Sequence, residues 1–286
     1  MIIVTGTKRS GTSMWMQVLI AAGFPAFGEA FPRRWGQTIK DANPNGFYES
    51  MLRQGIYYRT NPHPQTGEYF FPEQVEHHVV KVFIPGLVRS DRAFIGKVIA
   101  TVRPWREYEA SLERLHTMED AAHEHAAGPP PQRMPPALEW WSENFMLLRD
   151  IAIRRYPVYV QSYEGLLQEP DKVIRTIIRW LGHGDADAAI RAVRPENRTQ
   201  VQPVSNRVEQ RFADRFDELY ALVRAGKGLD EAFVAKLNAT NEQLLPLVQA
   251  HQRAIAVDRK KRRQAAHGQK SGSELEHHEP GVDSDP

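Results

Sequence analysis

The chain has 286 residues, with 37 Lys and Arg against 35 Asp and Glu, a formal net charge of +2 and no cysteine. A balance so close to neutral makes no general electrostatic case for a nucleic-acid partner. The lack of cysteine excludes disulfides, thiolate metal sites and cysteine nucleophiles, and fits a reducing compartment. The length suits one full-sized α/β domain or at most two small ones. No apolar stretch approaches the roughly 18–20 residues that span a bilayer, and the opening run Met1–Gly6 is too short for a signal core. The expectation is a cytoplasmic protein with no membrane partner.

Residues Ile2–Thr5 form a continuous β-branched run stopped by Gly6, the pattern of a buried strand. Met14, Trp15, Val18, Leu19 and Ala22 then recur at helical spacing until Gly23. A polar stretch punctuated by Pro and Gly reaches about Gly46, followed by a predicted helix over Ser50–Arg59 and a loop over Asn61–Gly67. Further strands are predicted at Val79–Phe83, Val98–Val102 and Val158–Gln161, with helices at Trp105–His116 and Ala137–Arg155. This alternation argues for a parallel sheet with crossover helices. The proline-rich segment Gly128–Pro136 breaks it as an excursion beside the domain, in a position to serve as a lid. From Asp171 the chain reads as mostly helical: Asp171–Leu181, Asp185–Val193, Val208–Arg224 and Asp230–Ala256. The expectation is a single domain over 1–257 with a helical C-terminal portion from about 183. Residues 258–286, opened by the basic run Arg259–Arg263, read as a disordered tail. That run is either an anion-binding or targeting element or the solvated end of a helix.

The first strand runs into Gly6-Thr7-Lys8-Arg9-Ser10-Gly11-Thr12-Ser13 and then a helix. Glycines at both ends let the backbone curl so that consecutive N–H groups converge. The helix N-terminus adds its unpaired donors and the positive end of its dipole. Lys8, Arg9 and the hydroxyls of Ser10, Thr12 and Ser13 add charge and donors, so the loop suits a multiply charged anion. A nucleotide hydrolase would carry Gly-Lys-Ser/Thr at the second glycine and a magnesium-binding acid at the end of a neighbouring strand. Here Thr12 follows Gly11, and the neighbouring strands end in Arg103 and Phe83. The loop therefore grips phosphate without the usual metal apparatus, and no metal is expected.

The segment Thr7–Ser13 resembles the 5′-phosphosulfate loop of sulfotransferases that use 3′-phosphoadenosine-5′-phosphosulfate (PAPS), a P-loop family that includes bacterial members. Arg103 at a strand end and Ser111 eight residues later match the pair that binds the 3′-phosphate in that family. Ser162-Tyr163-Glu164-Gly165-Leu166 resembles its Tyr-Glu-Asp-Leu segment, with Gly165 replacing the aspartate. The resemblance spans about Ile2–Gly182. It implies a three-layer α/β domain with a central parallel sheet flanked by helices, PAPS as co-substrate, and 3′,5′-ADP as product. It also implies cofactor-binding roles for Lys8, Arg9, Ser10, Gly11, Thr12, Ser13, Arg103, Ser111 and Tyr163, with Tyr163 near the adenine. Bland readings stand beside these: Arg103 as a helix-entry residue, Ser111 as a helix-surface serine, Tyr163 as a core aromatic.

Sulfuryl transfer needs charge stabilisation and a base for the acceptor. Lys8 and Arg9 suit the first task. Lys81, inside the apolar run Val79–Phe83, is either a catalytic cation or a solvent-facing residue of an edge strand. The segment Val80–Pro85 resembles the Lys-Thr-His-Leu-Pro segment of the small-molecule enzymes, but their catalytic histidine falls on Phe83. The segment Asn43–Ser50 resembles the Asn-Pro-x-Gly-aromatic-x-Glu segment of bacterial members, which makes Glu49 the preferred base and Glu29 the second choice. Glu49 reads equally as a glutamate in a helix's first turn. His77 and His78 lack the spacing of paired metal ligands, and His63 sits in a loop that suits the acceptor mouth. The expected acceptor is a small molecule or glycan bearing a hydroxyl or amine. The aromatic stretches Phe24–Trp35, Gly46–Tyr58 and Trp140–Phe145 suit either an acceptor pocket or core. A non-catalytic PAPS-binding protein and an ATP-dependent kinase are the alternatives.

Overall fold

The computed structural model describes residues 1–31, 43–57, 61, 67–122, 129–198 and 203–275. Five strands, β1 (Ile2–Gly6), β2 (Ala26–Phe27), β3 (Val79–Lys81), β4 (Lys97–Val102) and β5 (Val158–Ser162), form one sheet in the order β2-β3-β1-β4-β5. Every pairing is parallel. The predicted strands are all present, with β3 ending at Lys81. The two-residue edge strand β2 lies in the stretch read from sequence as loop, because two residues carry no periodicity.

Helix α1 (Thr12–Ala21) follows β1; α2 (Ile84–Arg89) follows β3; α3 (Trp105–Ala122) and α4 (Pro136–Arg154) join β4 to β5. Then come α5 (Tyr163–Gln168), α6 (Pro170–Leu181), α7 (Ala186–Arg191), α8 (Gln210–Arg224) and α9 (Glu231–Leu275). Alternate β1 residues enter opposite cores. Ile2 and Val4 pack with α1, α6 and α7, while Ile3 packs with Val80, Val98, Leu87 and Leu147 towards α2 and α4. A strand covered on both faces has to be apolar throughout, which is why β1 reads as an unbroken run. The result is the three-layer arrangement expected. A third core joins α3, α4, α8 and α9 around Phe216, whose ring lies 5.5 Å from Trp140, 4.9 Å from Trp141 and 5.8 Å from Trp105. Trp140 and Trp141 are therefore core, as are Phe24 and Phe27.

Two expected elements differ. Between Ser50 and Arg59 only a single 3₁₀ turn, Met51–Gln54, is helical before Gly55. Gly55 has φ 122°, and a Cβ there would meet the Gly86 carbonyl at 2.8 Å, so the chain leaves the helix where it presses on α2. At the other end, α9 continues through Arg259–Arg263, where an irregular tail was expected to begin. Arg262 pairs with Asp258 one turn back (2.8 Å) and donates to the carbonyls of Pro129 and Pro130 (2.7 and 2.9 Å). Those contacts tie the helix to the proline-rich segment. Residues 276–286 lie outside the described residues. No helix among the described residues is long and apolar enough to cross a membrane.

The order of strands decides where a ligand fits. Central β1 connects through α1 towards β2 on one side, whereas its neighbour β4 connects through α3 and α4 to β5 on the other. The loops leaving β1 and β4 therefore diverge and open a crevice at the carboxyl edge of the sheet. The crevice lies between the Gly6–Gly11 loop and Arg103.

Candidate active site

The loop after β1 is shaped by close approach. At Gly6 a Cβ would lie 2.4 Å from Ser10 Oγ and 2.6 Å from the Thr101 carbonyl. Ser10 donates through both N–H (3.3 Å) and Oγ (2.7 Å) to the Thr7 carbonyl, and its own carbonyl accepts from Thr101 Oγ1 at 2.9 Å. Ser10, fully buried, thus turns inward and braces the loop instead of facing the cavity. Arg9 (φ 64°) and Gly11 (φ 97°) flank it in the left-handed region, an alternation that turns successive N–H groups to one side. Helix α1 begins at Thr12 with no side chain capping its N-terminus, so its first-turn amides and dipole are directed at the crevice.

Residues from four elements meet over this loop. Arg9 Nε donates to Ser111 Oγ of α3 at 3.2 Å, and Arg103 Nη1 donates to the Arg9 carbonyl at 3.1 Å. Arg103 Nε also donates to Glu107 at 3.3 Å, and Glu107 pairs on its other side with Arg198. The Tyr163 ring lies against Gly11, where a Cβ would stand 2.4 Å from it, and the Arg103 guanidinium sits 5.0 Å from its centroid. Ser162 caps α5 by accepting from the Gly165 N–H at 3.0 Å and so sets the direction of Tyr163. Burial, and then the neighbouring Arg103, push the Arg9 pKa down to about 10; burial also lowers that of Arg103. The Arg9 shift reports a cation held out of water beside a second one, a situation that a bound anion relieves.

A second constellation adjoins the first. Lys81 is 3% exposed on a strand paired on both sides, which removes the edge-strand reading. Its ammonium donates to Ser13 Oγ (3.0 Å), the Phe47 carbonyl (3.0 Å) and Glu49 Oε1 (2.8 Å). Burial lowers its pKa, opposed by Glu49. Glu49 is 5% exposed, and its second oxygen accepts from Arg53 at 3.1 Å. Ser50, not Glu49, caps the 3₁₀ turn through the Leu52 N–H, which leaves the Glu49 carboxylate to the lysine. The backbone that delivers Glu49 is held by a turn in which Gly46 N–H donates to Asn43 O (3.1 Å), and by a bridge to Glu29. Glu29 itself is exposed and does not line the cavity.

One cavity of about 850 Å³ joins these groups. Lys8, Arg9, Gly11, Thr12, Ser13, Glu49, Lys81, Arg103, Ser111 and Tyr163 all line it, as do Phe83, Leu115, His116 and Glu143. The Phe83 ring lies 5.3 Å from the Lys81 ammonium. Glu107, Arg198 and Thr101 were missed from sequence. Glu107 stands four residues after Arg103 in a helical pattern, a legible pairing signal, whereas Arg198 arrives from irregular chain. His77 stacks edge-on against His183 with centroids 5.2 Å apart, and His63 lies outside the described residues. Among the described residues no group of three or more His, Asp or Glu is placed to hold a metal.

No family model matches the chain, and no curated protein matches it. Among solved structures, it is similar to the sulfotransferase STF1 from Mycobacterium tuberculosis H37Rv at 16% identity and a TM-score of 0.41, over 77% of this chain and 76% of that one. It is also similar to the sulfotransferase domain from the curacin biosynthetic pathway at 13% identity and a TM-score of 0.38, over 85% of this chain and 96% of that one.

Proposed function

We propose that this protein is a sulfotransferase that moves a sulfuryl group from PAPS to a hydroxyl or amine of an acceptor and releases 3′,5′-ADP. The observation that carries the reading is the convergence of Arg9, Arg103, Ser111 and Tyr163 on the loop after β1. A loop for one phosphate group alone needs no second cationic corner supplied by β4 and α3. A nucleotide bearing phosphate at both its 5′ and 3′ positions uses both. In this reading the α1 amides, Lys8 and Thr12 hold the 5′ end, Arg103 and Ser111 the 3′-phosphate, and Tyr163 the base.

PAPS supplies the sulfuryl group. The acceptor oxygen or nitrogen forms the new bond to sulfur as the bond from sulfur to the 5′-phosphate oxygen breaks, and the acceptor proton passes to Glu49. Lys81 and Arg9 stabilise negative charge on the departing phosphate and the sulfuryl oxygens. Lys81 holds both Ser13 and Glu49, so the proposed base and the start of α1 share one positioning residue. A binding protein without turnover is the reading that Phe83, at the position of the usual histidine, favours.

Calorimetric titration with 3′,5′-ADP and with ATP, each with and without magnesium, tests the donor site. We expect metal-independent binding of 3′,5′-ADP, weakened about 10- to 100-fold by Arg103→Ala, the loss of a charged hydrogen-bond partner. Magnesium-dependent preference for ATP, or no binding of either, would overturn it. Glu49→Gln separates transferase from binding protein: nucleotide binding persists while sulfation of an acceptor library falls. Undiminished sulfation would remove Glu49 as the base.

A further inference from the structure

Helix α4 turns two carboxyl groups, Glu139 and Glu143, towards the same region one helical turn apart, and Glu143 lines the cavity with Lys8, Leu115 and His116. The Oε2 atom of Glu143 is shut from solvent and has no hydrogen-bond partner among the described residues. No ion pair within 4.0 Å involves either carboxyl among the described residues, although Lys8 acts on both electrostatically. This contrasts with Glu49, Glu107 and Asp150 in the same domain, each of which is paired with an arginine or lysine. A buried carboxyl left without a partner is costly, and side chains in that state are commonly completed by a ligand.

We propose that Glu143 forms an acceptor subsite for a positively charged amino group. It rests on the reading of the cavity as the sulfuryl-transfer site, and adds the acceptor's class: a molecule carrying a primary ammonium besides the group that is sulfated. Leu115 lines the same cavity and offers an apolar contact to the part of the acceptor that carries the ammonium. Glu139 supports Glu143 by adding negative potential. Burial, followed by Glu139, pushes the Glu143 pKa up to about 8, with Lys8 opposing. The other titratable groups near the pair are Tyr108, whose phenol burial and then these carboxylates push well up, and His116, which burial, Arg133 and Lys8 lower to about 4. Burial and Glu139 thus favour the protonated form of Glu143, and an incoming ammonium favours its carboxylate.

The test uses matched probes, hexylamine against hexan-1-ol and 2-phenylethylamine against 2-phenylethanol, titrated calorimetrically into the full chain at neutral pH with 3′,5′-ADP present and absent. Each amine is expected to bind at least about tenfold more tightly than its alcohol, with release of a proton to the buffer, and Glu143→Gln is expected to abolish both the preference and the proton release. Thermal unfolding of Glu143→Gln checks that it folds, and Glu143→Asp, which keeps the charge, is expected to retain part of the preference. Equal or absent binding of amine and alcohol to the native chain, or a preference that survives Glu143→Gln, would overturn the subsite. Failure here with 3′,5′-ADP still bound leaves the transferase reading standing. Binding of amines without 3′,5′-ADP binding removes the transferase reading and with it the acceptor role, and leaves Glu143 as an ammonium site alone.

Discussion

Replacing Lys81 by methionine tests the buried centre of the site. The ammonium makes three hydrogen bonds, to Ser13, Phe47 and Glu49, and is almost wholly shielded from water. Its loss strands a carboxylate that is 5% exposed. Breaking a buried pair by removing one partner costs about 3–5 kcal/mol. Arg53 still holds the second oxygen of Glu49, with its own side chain 30% exposed, so we place Lys81→Met at the lower end, about 3 kcal/mol. Glu49→Gln, which leaves an amide able to accept from Lys81, is expected to cost about 2 kcal/mol. The double variant is the informative one: with no stranded charge, it should lose about 3 kcal/mol in total, a coupling of about 2 kcal/mol. The assay is urea unfolding at neutral pH followed by far-ultraviolet circular dichroism, with unchanged denaturant slopes as the condition for comparison. Two single losses that add to within about 0.5 kcal/mol would show that the charges do not depend on one another, and the reasoning would fail.

The loop makes a steric prediction: Gly11→Ala places a methyl group 2.4 Å from the Tyr163 ring at φ 97°, so it should destabilise by at least about 2 kcal/mol in thermal unfolding. Ser111→Ala removes the acceptor of the Arg9 Nε–H, so it should destabilise by about 1 kcal/mol in thermal unfolding and weaken 3′,5′-ADP about tenfold by calorimetry. Glu143 predicts a pH dependence. Its folded pKa of about 8 stands above the usual 4.5, so the folded chain binds the extra proton and its contribution to stability, complete below that usual value, is lost as pH rises towards the folded value. Glu143→Gln lacks that loss. Its stability relative to the native chain should therefore climb from about pH 5 to about pH 8, by up to about 1.4 kcal/mol per unit, and a flat or opposite trend in urea unfolding would contradict the assigned burial.

The strands and the loop after β1 were legible in the sequence because their signals are local, whereas Arg103, Ser111 and Tyr163 were singled out by the resemblance of their segments to a known family. An unbroken β-branched run reports burial on both faces, and two glycines around cations and hydroxyls report an anion loop. The order of the strands was not legible. It depends on which side each crossover takes, and it alone opens the crevice between β1 and β4. Lys81 shows the same limit. Its sequence context left it either functional or at an edge, and the pairing of β3 on both sides excludes the edge. Which residues meet it, Ser13 from α1 and Glu49 from a segment ahead of the 3₁₀ turn, follows from chain paths that no periodicity encodes. Ser10 looked like a phosphate donor by type and spacing, yet the fold uses its hydroxyl to satisfy the Thr7 carbonyl. Glu143 gave no signal at all, since a glutamate on a helix reads as solvated surface until its neighbours in space exclude the water. Local sequence determines which backbone shapes and charges are available; burial and partnership, which set what a polar group does, belong to the tertiary structure.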